Sequence, residues 1–324
     1  MGVEYGPINH LPHLIRITAW QRLISEALFL PTMFRVSVGV PAYNEEGNIR
    51  RSLESILAQD TAGHELLEVI VVSSGSTDST DDIVRSMAEQ DPRIRLLVQK
   101  GREGKASANN LFMSSARGDV LIQLNADAFI SPDAFKHLLA PLSDPEVGAV
   151  TGRLAPVNNG GGFFAFTARL MFHLHHGVSA MNPKMTELFS IRNLDLQMPR
   201  DVNTDEDWLA HTFYSMGYRI VYAPDAVTNL KGADNIRDFL NQRVRVNIGE
   251  NYMKRRFNYR PPTKDKGLVF NSLLDFIREE RPNPFLLFGA MLLESMARVY
   301  SKAYVALGFK DQAVWKVIDS TKRH

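Results

Sequence analysis

The sequence predicts an α/β fold, a mainly parallel sheet flanked by helices on both faces. Three observations predict it. Short β-branched runs alternate with helical stretches over about residues 35–258, the order that parallel strands need for their crossovers. Small and polar residues gather just after the strand runs, at the edge where such sheets bind ligands. The composition is that of an ordinary folded chain: 324 residues, 44% hydrophobic and 23% charged, enough for one large domain or one domain with an appendage.

Residues 1–34 read as an amphipathic helix, with Leu14, Ile17, Trp20, Ile24 and Leu28 at helical spacing and Arg16, Arg22 and Glu26 among them. The α/β zone, 35–258, follows. Val36-Ser-Val-Gly-Val40 reads as the first strand, then the turn Pro41-Ala-Tyr-Asn44 and a helix from about Glu46 to Ala58. Glu68-Val-Ile-Val-Val72 is the second strand, with a helix opening near Asp78. Ile94-Arg-Leu-Leu-Val98, a helix from Lys105 to Ala116 and Val120-Leu-Ile-Gln-Leu124 continue the alternation. The breaker Tyr259-Arg-Pro-Pro262 opens a C-terminal helical appendage, 259–324. It holds one helix from about Lys266 to Glu280 and another from after Pro284 toward Leu307.

Net charge is +1, so no global field favours nucleic acid. The absence of cysteine removes disulfides, thiolate metal sites and cysteine nucleophiles. Residues 1–30 lack the basic start, apolar core and cleavage site of a signal peptide. The most apolar stretch, Pro282 to Leu293, runs twelve residues before Glu294, against the roughly 20 needed to span a bilayer. The expectation is a cytoplasmic protein, soluble or lying on the cytoplasmic face of a membrane.

Four polar sets lie in order along the α/β zone. Pro41-Ala-Tyr-Asn-Glu-Glu46 follows the first strand and could hold a nucleotide base, or be a plain loop with Asn44 as helix cap. Ser73-Ser-Gly-Ser-Thr-Asp78 follows the second; small hydroxyl residues ahead of helix amides suit a ribose or phosphate, or simply cap the helix. Asn125-Ala-Asp127 ends the fourth strand, where a carboxylate can hold Mg2+ or Mn2+ on a diphosphate. Downstream come Thr204-Asp-Glu-Asp-Trp208, Gly217-Tyr-Arg-Ile220 and Gln242-Arg-Val-Arg245. The three acids complement a helix dipole or serve as a general base, and the arginines offer forked donors for a diphosphate.

In this order and spacing, the four sets resemble glycosyltransferase family 2, the inverting enzymes of GT-A (nucleotide-diphospho-sugar transferase) fold. The resemblance covers residue 36 to about 256 and includes Arg102-Glu-Gly-Lys-Ala106. It implies that Pro41, Ala42, Asn44 and Glu45 border the base and ribose, with Ser74, Gly75, Lys105, Asn125, Ala126, Gln242, Arg243 and Arg245 also on the donor. The family's Asp-Asp-Gly-Ser stands here as Ser73-Ser74-Gly75-Ser76, and its Asp-X-Asp as Asn125-Ala126-Asp127, keeping Asp127 as the metal ligand. The family's base lies eleven residues before the Gly of Gly-Tyr-Arg. That count from Gly217 reaches Glu206, with Asp205 beside it and Asp207 one residue off register. Val246 replaces the aromatic of Gln-X-X-Arg-Trp, which argues against a processive polymer synthase.

The resemblance implies a single displacement with inversion, dependent on Mn2+ or Mg2+, from a UDP-sugar first and GDP-mannose second to an acceptor hydroxyl or phosphate. A non-catalytic nucleotide-sugar-binding relative is the rival reading, favoured by the altered Ser73-Ser74 and Asn125. A sugar nucleotidyltransferase would want a glycine-rich basic loop at 41–47, which is absent. The N-terminal helix and Phe285 to Leu307, with Lys254, Arg255, Arg256, Arg260, Lys264 and Lys266 between them, suggest peripheral membrane contact and a lipid-linked acceptor. The alternative is that both helices pack on the core or on a second copy. His173 and His176 share a helix face, and acceptor lining or packing explains them better than metal binding. Gly160-Gly-Gly162 reads as a turn over the site.

Overall fold

The computed structural model describes residues 33–158 and 160–306; the expected N-terminal helix therefore lies, but for its last two residues, outside the described residues. The elements follow the order β1 (Arg35–Ala42), α1 (Ile49–Leu57), β2 (Glu65–Ser73), α2 (Thr80–Gln90), β3 (Ile94–Val98), α3 (Lys105–Ser115) and β4 (Val120–Leu124). Then come β5 (Phe129–Ile130), α4 (Ala134–Leu139), β6 (Val147–Pro156), α5 (Phe163–Met181), β7 (Leu188–Arg192), α6 (Asp205–Ser215) and β8 (Arg219–Leu230). Three helices close the described chain: α7 (Ile236–Phe257), α8 (Lys266–Glu280) and α9 (Pro284–Ala306).

One sheet holds all eight described strands, in the order β3-β2-β1-β4-β7-β6-β8-β5. The first four are mutually parallel. β7 enters reversed, antiparallel to both β4 and β6, and β6 and β8 are again parallel. The sheet is thus mixed α/β and mainly parallel, and one edge collects the carboxyl ends of β1, β2, β4, β6 and β8. Because β7 runs the other way, its leading end joins that same edge.

Strand alternation divides the core. Val36, Val38 and Val40 of β1, Val69 and Val71 of β2, and Val120, Ile122 and Leu124 of β4 face α1, α2 and α4, meeting Leu53, Val84 and Phe135. Ile70, Val72 and Leu121 face the other way, onto Phe112 of α3, Trp208 and Phe213 of α6 and Met253 of α7. Odd-numbered residues of β4 therefore point toward α3 and α6. α8 and α9 do not stand apart: Phe276 and Ala290 pack on Phe166 and Leu170 of α5, while Leu293 and Ala297 pack on Phe239 of α7.

Two expected boundaries shift for local reasons. The first helix starts at Ile49, not Glu46, because Asn44 adopts a left-handed φ of 52° and Asn48 N–H closes a turn onto the Glu45 carbonyl at 2.9 Å. Asn48, not Asn44, is its cap residue. The second helix begins at Thr80, whose N–H is taken by the Asp78 carboxylate at 3.0 Å. Thr204 stands at the α6 cap position, but its hydroxyl makes no capping bond.

Gly39, in the middle of β1, lets α3 close on the sheet: a Cβ there would lie 2.3 Å from the Phe112 ring. Gly39→Ala must displace that buried ring and α3 with it. We expect it to destabilise the fold by roughly 1–3 kcal/mol, read as a lower urea midpoint.

Candidate functional site

Two loops at the carboxyl edge are tied to each other. Asn44 Oδ1 accepts from Thr77 N at 2.8 Å and Asn44 N donates to Ser76 Oγ at 3.1 Å. Glu45 N donates to Thr80 Oγ1 at 2.7 Å, and Glu46 and Asp78 exchange bonds with each other's loops. Ser74 N bonds the Ala42 carbonyl at 2.9 Å, and Ser74 Oγ accepts from Glu103 N at 3.1 Å. Gly75 is required here: its φ is +71°, and a Cβ would sit 2.7 Å from the Gly101 main chain. Pro41, Ala42, Asn44, Glu45, Ser74 and Gly75 are thus brought together where β1 and β2 end, with Ala42, Glu45 and Ser74 buried. Beside them the Arg102 guanidinium lies 4.2 Å from the Tyr43 ring centre. Asn44 and Glu45 spend their polar groups on holding the two loops together.

The carboxylates converge next to these loops. Lys105, first residue of α3, lies 2.7 Å from Glu206 Oε1, 3.0 Å from Asp205 Oδ2 and 3.8 Å from Glu187 Oε2. Asp205 also accepts from Asn109 at 2.8 Å and from Gln123 of β4 at 3.1 Å. Asp207 turns away to Lys184, at 2.8 Å. The side chains of Asp205 and Asp207 are 3% and 1% exposed and that of Glu206 is 14% exposed, so Glu206 is the triad member that meets solvent.

Glu187 is the carboxylate that sequence reasoning missed. It sits just ahead of β7, across from Asn125, since the antiparallel register pairs Leu124 with Leu188. Asn125 Nδ2 donates to Glu187 Oε2 at 2.6 Å, while Asn125 Oδ1 is buried without a hydrogen-bond partner among the described residues. Lys184 was missed as well. The signal for both was a charged pair, Lys184 and Glu187, flanking the apolar run Leu188-Phe-Ser-Ile191. Thr186 between them is buried; it exchanges hydrogen bonds with Thr151 and donates toward the Gly152 and Leu188 carbonyls.

Electrostatics separates the acids. Burial pushes Glu206 up, but Lys105 and then Lys184 outweigh it and hold its carboxyl at about 2. Burial and the Glu206 charge push Glu187 up to about 7, against Lys105 and reinforced by Asp127. Burial raises Asp207 to about 6 despite Lys184, and burial with the Glu206 charge raises Asp205. Lys105 is held well above its usual range, because its carboxylate neighbours overcome its burial.

α7 carries the remaining predicted residues. Gly249 lies against Thr204, where a Cβ would be 2.5 Å from Thr204 Cγ2. Arg245 and Gln242, four and seven residues before it, share that face. Arg245 is half-buried and pairs with no described residue. Arg243 is placed elsewhere: its fork grips Glu294 of α9, with both contacts at 2.7 Å. The diphosphate role expected for it gives way to that buried pair. Ala126 is buried in the core under Asp127. Of the histidines, His176 meets the Tyr222 hydroxyl at 2.7 Å and His173 packs edge-on against Phe276.

Among the described residues no three His, Asp or Glu side chains surround a ready-made ion site. The donor set around residue 125 still fits a hard cation. It offers the Asp127 and Glu187 carboxylates and the orphaned Asn125 Oδ1, and a divalent ion on a diphosphate takes its other ligands from phosphate and water.

A parallel-led α/β sheet with tied loops, acids and basic helix face along its carboxyl edge is the architecture of a nucleotide-sugar transferase. The sequence profile of Glycosyl transferase family 2 matches residues 37–198, half of the chain, and the chain belongs to that family. It is 27% identical to an N-acetylglucosaminyltransferase of Rhizobium meliloti (strain 1021), over 65% of this chain and 54% of that protein. The chain thus spans about half the length of that relative. It is 24% identical to the probable glycosyltransferase YdaM of Bacillus subtilis (strain 168), over 97% of this chain and 77% of that one. Among solved structures it resembles the mannosyltransferase PcManGT from Pyrobaculum calidifontis in complex with GDP-Man and Mn2+. That match has 26% identity and a TM-score of 0.58, covering 89% of this chain and 85% of the other. The GT-A fold implied by the motifs is the one observed.

Asp207 supplies a pH signature. Its folded carboxyl is raised to about 6, so its contribution to stability is full below its unfolded value and is lost as pH rises through 6. On acidification from pH 7 to 4.5, wild type should gain on the order of 2 kcal/mol over Asp207→Asn, measured by denaturation at each pH.

Proposed function

We propose that this glycosyltransferase moves a sugar, with inversion, from a nucleotide diphosphate donor to an acceptor hydroxyl carried on a lipid. The observation that carries the reading is Glu206. It is the solvent-facing acid of the α6 triad, held ionised beside Lys105 at the edge that also presents Asp127. An ionised carboxylate at that position accepts the acceptor's proton as its oxygen attacks the anomeric carbon and the nucleoside diphosphate leaves. Asp205, bonded to Lys105, Asn109 and Gln123, fixes the start of α6 and so aims Glu206. Arg245 offers its guanidinium to the departing diphosphate. Asp127 would hold a Mn2+ or Mg2+ ion, which when bound would offset negative charge on that leaving group.

The donor is a UDP-sugar first and GDP-mannose second. The Rhizobium relative supports an N-acetylhexosamine and the Pyrobaculum structure supports GDP-mannose. Purified protein with Mn2+ and a panel of UDP- and GDP-sugars should release nucleoside diphosphate slowly, and Asp127→Ala should not. Glu206→Gln should keep donor binding and lose roughly 10²–10⁴-fold in transfer rate. Absence of binding to every donor, or equal behaviour of Asp127→Ala, would favour a non-catalytic relative instead.

Membrane contact is supported by α9. Phe285, Phe288, Leu292, Met296 and Val299 form one stripe along it, each between 50% and 85% exposed. Its only acid, Glu294, pairs with both Arg243 and Arg298, which leaves one positive charge in excess there, and Lys302 pairs with no described residue. An apolar stripe with a cationic flank suits an anionic bilayer surface, and no described helix is long and apolar enough to cross one. Lys264, expected to join the basic cluster, instead bonds Glu250 and Asn247. Vesicles containing phosphatidylserine should pull down wild type but not Phe285→Ser/Phe288→Ser. Equal sedimentation of the two would remove α9 from the membrane reading.

A further inference from the structure

We propose that Glu187 supplies the carboxylate missing at position 125, so that a glutamate from the reversed strand and Asp127 together hold the divalent ion. This rests on the transferase reading above. In the family pattern the cation edge has two acids on one strand; here the first is replaced by Asn125. Register explains how a neighbour stands in. β4 and β7 pair antiparallel with Leu124 opposite Leu188, which makes 125 and 187 the next pair out, on one face. Directly opposed residues hold their Cβ atoms about 5 Å apart, and Glu is one methylene longer than Asp. Its carboxylate therefore reaches over the ground that an aspartate side chain at position 125 would occupy.

The contacts agree. Glu187 has its short bond with the Asn125 amide, at 2.6 Å, and its distance to Lys105 is 3.8 Å, longer than those from Lys105 to Glu206 and Asp205. Lys105 is thus not what holds Glu187 in place. The Asn125 amide, having given its N–H to Glu187, leaves its own oxygen buried and without a hydrogen-bond partner among the described residues. Asp127 lies close enough for the two carboxylates to repel each other. Charge balance points the same way: Glu187, Asp205 and Glu206 share Lys105 as their ion-pair partner among the described residues. Unbalanced acid at a half-buried edge is costly, and a divalent cation would offset it.

The test reads ion binding rather than turnover. Mn2+ would be titrated into protein with UDP or GDP present, following free Mn2+ by electron paramagnetic resonance. The proteins are wild type, Asp127→Ala, Glu187→Gln and the exchange Asn125→Asp/Glu187→Asn. The exchange keeps one acid and one amide across the pair, so it preserves the charge. We expect Glu187→Gln to weaken Mn2+ by at least about tenfold and the exchange to restore it to within about threefold of wild type. If Asp127→Ala loses the ion while Glu187→Gln binds as wild type does, or if the exchange does not restore binding, the role of Glu187 is overturned and the transferase reading stands. If wild type binds no Mn2+ with either nucleotide, both fall.

Discussion

The ammonium group of Lys105 joins two halves of the site that are far apart in the chain. Glu206 lies 101 residues beyond it, and no covalent or local feature would bring their helices together. The arrangement is electrostatically demanding on one side and helped on the other. A cation in the first turn of α3 stands at the unfavourable end of that helix dipole, whereas three acids in the first turn of α6 stand at the favourable end of theirs. Two helix starts of like partial charge therefore face each other, and the exchange of a lysine for carboxylates between them turns repulsion into attachment. Asp205 could not sit buried beside Glu206 without that cation between them.

The charged chain extends past the carboxyl edge. Lys184 serves Asp207, and Lys264, from the turn ahead of α8, serves Glu250 of α7. Buried pairs of this kind add little net stability but penalise every arrangement that leaves one partner alone. Their value here is positional: the segment after α5 is keyed to α6, the turn ahead of α8 to α7, and α7 to α9. Arg243 with Glu294 belongs to the same system, and it ties the apolar-striped α9 to the helix that carries Arg245.

The first half of the fold was legible in the sequence because it is regular. β3 and β4 end where their β-branched runs end, and the glycine and proline punctuation marks the loops. The second half resists such reading. β6 carries Gly148 and Gly152 within it, and β7 is five residues long and enters the sheet backwards, so the alternation of strand and helix no longer reports topology. The candidate site divides in the same way. Asp127 and the 205–207 acids sit inside motifs with fixed spacing. Glu187 and Lys184 belong to no motif and reach the edge only through long-range strand pairing. Arg243 looked suited to a diphosphate for the converse reason: its fork was visible, but the glutamate 51 residues later that fills it was not.

The reversal of β7 places a special burden on Thr186. A forward strand delivers its last residue to the binding edge, with a loop behind it that can adjust; this one delivers the residue before its first. A slip of one position would bring Leu188 to the place of Glu187 and turn every side chain of the strand to the opposite face. Thr186 resists that slip, because its hydroxyl and amide interlock with Thr151 and Gly152 on the neighbouring strand. A small uncharged residue, remote from any reacting atom, thus acts as the reading-frame mark for the acid beside it. Insertions or deletions between α5 and β7 are tolerable only where they leave that mark in step.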